Sequence, residues 1–213
     1  MFVEHVSVLD YAYFDAERGI LGNSYHVDAE LIGHLDDEGV VFDFSYAKKA
    51  IKGVIDSVCD HRLVIPGTLS PARSGENMLC LTLASRLAGT VEYRCPEQGI
   101  CQLSSERVTR ETLTHYLETE VMRAMPKNVD AVRLHLEEES FSAGQPVYHY
   151  SHGLKQHYGN CQRLFHGHRN KLDIYVDGEK DLRLENELAG LWRDIHFAFP
   201  ENIVDKNLRI GQR

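Results

Sequence analysis

Apolar positions recur along the chain with two different periods. Residues 2–9 (FVEHVSVL) and 25–33 (YHVDAELIG) read as strands, the second closing at Asp36-Asp37-Glu38-Gly39. Residues 40–44 (VVFDF) extend from that turn. Ala47, Ile51, Val54, Ile55 and Val58 then form one stripe at spacings of three and four, which predicts a helix with one buried face. Cys59-Asp60-His61 stands where that helix ends. Pro66, Gly67, Pro71 and Gly75 mark 64–77 as a loop. The apolar run 78–88 predicts a short helix, and 89–103 a hairpin. A second helix is expected over 109–125, with Leu113, Tyr116, Leu117, Val121 and Ala124 inward and Pro126 stopping it. Residues 130–137 (DAVRLHLE) alternate as a strand.

A second β-rich segment starts near Pro146. Residues 147–152 and 169–177 predict strands around a long loop, 185–196 a helix, and a polar tail follows. This order echoes the first segment: strand, loop, strand, turn, helix, then an Asp/His pair. Asp177-Gly178 corresponds to Glu38-Gly39, and Asp194-Ile195-His196 to Asp60-His61. The pattern predicts an α+β chain of two units, a full one over 1–145 and a partial one over 146–213. The second unit is either a natural half repeat or part of a longer chain.

The 213 residues are 43% hydrophobic, enough for a sizeable core. A net charge of −9 repels phosphate backbones and argues against nucleic acid as a partner, while leaving room for a local basic pocket. No apolar run approaches the roughly 20 residues that span a bilayer, so no membrane partner is expected. The N-terminal stretch carries Glu4 and Asp10 and lacks a basic n-region, unlike a secretory leader. Five scattered cysteines (Cys59, Cys80, Cys95, Cys101 and Cys161) predict free thiols and a cytoplasmic location. Cys95 and Cys101 flank Pro96-Glu97-Gln98-Gly99 and are read as two thiols near each other across a turn.

The densest chemistry lies in YHYSHGLKQHYGNCQRLFHGHRNKLDIYV, residues 148–176. In a strand His166 and His168 point the same way. His152 stands 14 residues before His166, far enough to return on an adjacent antiparallel strand. Three imidazoles leave a fourth tetrahedral position open, as in catalytic zinc sites. Without a thiolate in the set, the metal keeps most of its charge and polarises a substrate oxygen. His149 and His157 compete for the third place. Cys161 lies just upstream, and a thiol beside a zinc ionises near neutral pH.

Cys161-Gln-Arg-Leu-Phe-His166-Gly-His168, with His152 in Ser-His-Gly-Leu, resembles the 6-pyruvoyl-tetrahydropterin synthase and 6-carboxytetrahydropterin synthase family. Residues 24–44, Asp60-His61 and Leu136–Gly144 resemble the rest of the family pattern. In the first unit Leu21-Gly22-Asn23 stands where His-Gly-His would, and the early histidine is replaced somewhere within Tyr11–Phe14, so that unit should bind no zinc.

The resemblance implies a tunnelling fold: an antiparallel sheet with two helices on one face, associating as a homo-oligomeric barrel. It implies Zn²⁺ on His152, His166 and His168, and a dihydropterin substrate with a triphosphorylated side chain. Cys161 would remove a proton and an Asp-His pair would relay it, Asp60-His61 being the first choice and Asp194/His196 the second. Glu139 would accept two N–H bonds from the amino-pyrimidine edge, and Lys155 or Arg163 would meet the triphosphate. The rival classes are a non-catalytic pterin-binding or barrel-forming protein that retains zinc, and a different lyase or hydrolase on the same fold.

Overall fold

The structure, a computed structural model, describes residues 1–153 and 165–198. The chain begins with a long hairpin, β1 (Phe2–Asp15) and β2 (Gly19–Gly33). Helix α1 (Phe44–Val58) follows, capped by the Asp43 carboxylate, which accepts from the backbone N–H groups of Ser45 and Tyr46. Ala47, Ile51 and Ile55 form its buried stripe, as the spacing predicts. Val41 and Phe42 form a bend instead of the expected extension. Then come β3 (Leu63–Ile65), β4 (Ala72–Arg73), β5 (Met78–Ser85), β6 (Gly89–Pro96), a 3-10 turn (Glu97–Gly99) and β7 (Ile100–Gln102). Helix α2 (Arg110–Met122) opens with a Thr109/Thr112 capping box and buries Leu113, Leu117 and Val121. Strand β8 (Val129–Glu137) completes the first segment.

One sheet runs in the order β7-β3-β1-β2-β8. It is not wholly antiparallel as expected, because β3 pairs parallel with both β1 and β7. Helices α1 and α2 cover one face, burying Leu9, Tyr11, Val27, Leu31, Val64 and Leu134. On the opposite face, Ala12, Phe14, Leu63 and Ile65 pack against Leu81, Leu83 and Tyr93 of a small β4-β5-β6 sheet. Residues 78–85 are therefore a strand and not a helix. Leu81 and Leu83 are buried while Thr82 is exposed, a period of two inside an otherwise apolar run. The hairpin is β5–β6 rather than 89–103, and its turn is Arg86–Ala88, closed by Gly89 with positive φ. Cys95 and Cys101 thus enter different sheets. Cys101 shares a hydrogen bond with Cys59. Among the described residues, Cys59, Cys80, Cys95 and Cys101 are free thiols.

The second segment supplies β9 (Val147–His152), β10 (His166–Lys171), β11 (Tyr175–Val176), β12 (Glu179–Lys180), α3 (Leu182–Leu191) and β13 (Ile195–Phe197). It repeats the pairing of the first. Strand β9 pairs antiparallel with β10 and parallel with β13, as β1 does with β2 and β3. Left-handed backbone precedes each parallel strand, at His61 and at Asp194. The two hairpins meet at Gly22 and Gly167. A Cβ on Gly22 would fall inside the Tyr150 carbonyl oxygen, and one on Gly167 would strike the Gly22 backbone. Only glycine permits that approach.

Candidate metal centre

The β9–β10 register sets His152 directly opposite His166, with His168 two positions further along the same face. The ligand atoms of the three side chains all lie within 4.8 Å of one another. His152 Nε2 and His168 Nε2 are 3.0 Å apart. Tetrahedral zinc bound at about 2.0–2.1 Å sets its nitrogens about 3.3 Å from each other. His166 is fully buried. His152 Nδ1 is buried and has no hydrogen-bond partner among the described residues. Burial, then the neighbouring rings of His168, His196 and His61, pull the His152 pKa down to about 4. A neutral imidazole with free lone-pair capacity is the form a metal binds. The donor set therefore fits a divalent metal ion.

His149, a competitor for the third place, is turned away, its Nδ1 lying 2.9 Å from the Gly22 carbonyl oxygen. His157 lies outside the described residues, as do Cys161, Lys155 and Arg163. Phe165 enters β10 with φ +61°, an outlier for a bulky side chain. Its ring is held between Tyr93 at 4.9 Å and His196 at 5.0 Å, so the small sheet braces the residue before His166.

The two Asp/His pairs are placed differently. Asp60 Oδ2 lies 2.6 Å from His61 Nδ1, and the His61 ring packs on His166 with centroids 4.6 Å apart. Asp194 instead binds Arg18, whose Nη2 donates to its Oδ1 at 2.6 Å. His196 Nδ1 lies 2.9 Å from Ser151 Oγ. The pair that the structure brings against the trio is thus Asp60–His61.

A cavity of about 260 Å³ opens beside His168, lined by Asp10, Ser24, His26, Glu139, Arg169 and others. Glu138 does not line this cavity, and its Oε2 is held by Arg169 Nε at 3.1 Å. Arg169 also donates from Nη1 to the Glu139 carbonyl oxygen at 2.8 Å. Asp10 Oδ1 lies 3.1 Å from His168 Nδ1 and accepts from Ser24 Oγ at 2.5 Å. Burial raises the Asp10 pKa, but His168 and Ser24 outweigh it and hold the carboxyl below its usual range. Sequence reasoning missed Asp10, Ser24 and Arg169. Arg169 had a visible signal, a cation directly after the His-Gly-His, whereas Asp10 had none near the trio.

No helix among the described residues is long and apolar enough to cross a membrane. Comparison with curated proteins gives no significant match. Among solved structures, 6-pyruvoyltetrahydropterin synthase from Plasmodium vivax superposes with a TM-score of 0.50 at 20% identity, covering 65% of this chain and 90% of that one. A variant of that enzyme with a catalytic residue replaced by alanine gives the same values. At this identity the likeness speaks for the fold. A family profile described as 6-pyruvoyl tetrahydropterin synthase matches residues 8–146, ending before His152. That match spans more than half of the sequence, and the chain belongs to the 6-pyruvoyl tetrahydropterin synthase family.

Proposed function

We propose that this chain is a zinc-dependent lyase of the pterin synthase type, acting on 7,8-dihydroneopterin triphosphate or a related dihydropterin. The observation that carries the reading is a meeting at one place. Three imidazoles converge, the Asp60–His61 pair packs on one of them, and a cavity reached by Glu139 opens beside another. Zinc held by His152, His166 and His168 would supply Lewis-acid polarisation of the substrate's side-chain hydroxyls. The chain's own residues supply the proton traffic. Asp60 orients the His61 ring through Nδ1, and the ring would relay the proton. Cys161, as thiolate, is the base that takes a proton from the side-chain carbon. Glu139 accepts two N–H bonds from the amino-pyrimidine edge, a charge-assisted contact.

The same reading divides labour between residues 1–145 and 146–213. Its support is the shared pairing pattern. Ala12 pairs with Leu63 and Gly22, as Ser151 pairs with His196 and Gly167. That register sets Tyr13, Leu21 and Asn23 in the first unit against His152, His166 and His168 in the second. The first unit then offers no imidazole at those three positions and binds no zinc, but contributes Asp60, His61 and Glu139.

The test is the mass of the product formed from dihydroneopterin triphosphate. The expected result is a new pterin with the triphosphate lost, formed by the wild-type protein and abolished in Cys161→Ala. Binding of the unchanged substrate by both proteins would instead identify a non-catalytic pterin-binding protein. Turnover untouched by Cys161→Ala would reject the proton-transfer role.

A further inference from the structure

The metal trio lies on the second hairpin, yet one of its ligands is oriented by the first. His168 Nδ1 sits 3.1 Å from Asp10 Oδ1, and Asp10 belongs to β1. The Asp10 carboxylate is itself fixed. Ser24, its cross-strand partner in the β1–β2 register, donates its hydroxyl to the same oxygen at 2.5 Å. The backbone on both sides is pinned too. Asp10 N–H donates to Asp60 Oδ1 at 3.0 Å, and the Asp10 carbonyl accepts from His61 N–H at 2.7 Å. A second tie crosses between the hairpins where Arg169 N–H donates to Ser24 Oγ at 3.2 Å. One residue thus touches a metal ligand through its side chain and the Asp60–His61 pair through its backbone.

We propose that Asp10 is a positioning residue for the metal centre, setting the tautomer and ring plane of His168. This rests on the metal reading of the trio given above. An imidazole has two nitrogens, and a metal needs the lone pair of one. With Nδ1–H donated to the Asp10 carboxylate, the proton is fixed on Nδ1 and Nε2 is left bare. That bare nitrogen is the one 3.0 Å from His152 Nε2. A carboxylate behind a ligand ring also raises the ring's basicity and offsets part of the metal charge. The docking of the two hairpins at Gly22 and Gly167 is what brings β1 within reach of His168. The centre is therefore shared across the two segments even though its three ligands are local to one.

The experiment is zinc affinity by chelator competition on the full chain, with wild type, Asp10→Asn, Ser24→Ala and His166→Ala in parallel. Asp10→Asn keeps the shape and removes the charge, and is expected to weaken zinc about 10- to 100-fold, the range for loss of an outer-shell partner. Its metal-free melting temperature should stay close to that of the wild type, separating positioning from folding. Ser24→Ala should weaken zinc less, in the same direction. The cobalt(II) forms of wild type and Asp10→Asn should differ in their visible absorption bands, which report ligand geometry. If the wild type takes up no zinc, or His166→Ala binds as tightly as wild type, the metal reading fails and this inference falls with it. If those two controls behave as the metal reading requires and Asp10→Asn keeps wild-type affinity, the inference alone is overturned. Should Asp10→Asn fail to fold, unchanged zinc affinity in Ser24→Ala overturns it.

Discussion

His152 shows how burial suits a residue to the metal-ligand role proposed for it. Desolvation comes first and three neighbouring imidazoles second, and together they lower its pKa to about 4. An unfolded histidine titrates near 6.5. Between those values the unfolded chain binds the proton and the folded chain does not. Stability contributed by this group is therefore present above about 6.5 and lost as pH falls toward about 4. Thermal melts of the metal-free protein should show that decline, and a His152→Gln variant should show a smaller one; equal slopes would contradict it. Glu139 makes the other residue-level prediction. It lines the cavity beside His168, whereas Glu138 is tied to Arg169. Glu139→Gln should weaken dihydropterin binding by about 1.5–3 kcal/mol, the range for a hydrogen bond to a charged group. A larger loss in Glu138→Gln by calorimetry would mean that the neighbouring carboxylate grips the ligand. The trio was legible in the sequence because alternation places His166 and His168 on one face. Asp10 was not, since its link to His168 exists only after two hairpins dock.

At the level of elements, the docking of hairpin on hairpin is the demanding contact. Gly22 and Gly167 bring two backbones together with no room for a side chain. Gly22→Ala must push Tyr150 away and should cost about 1–3 kcal/mol as an overpacked contact. In a chain of this size that lowers the melting temperature by about 2–4 °C per kcal/mol. The same substitution at Gly53, where an added Cβ meets nothing within 4 Å, should not lower it, and calorimetry of the two variants distinguishes them. Helices α1 and α2 were readable because each carries one apolar stripe at helical spacing. The β5 strand was not, since Met78, Leu79, Cys80, Leu81 and Leu83 blur the alternation that only burial reveals. The far half of β1 was missed for a related reason. Tyr11 and Phe14 are buried on opposite faces of the sheet, so no polar positions mark the period. The parallel pairing of β3 rests on three residues, too short a run to declare its direction.

For the whole molecule, the sheet order leaves β7 and β8 at the edges of the five-stranded sheet, and β10 ends its own sheet among the described residues. Open edges favour pairing with another chain. Closure into a ring of several copies is the expected outcome, read by light scattering at micromolar concentration; a pure monomer would contradict it. The metal reading requires one zinc site per chain, with His152, His166 and His168 of the second segment as its ligands. Elemental analysis of purified protein tests it most directly. The prediction is one zinc per chain in the wild type and in His26→Ala, and none in His166→Ala or His168→Ala. Two zinc ions per chain, no zinc in protein purified from zinc-supplemented cells, or full zinc in His168→Ala would contradict the account.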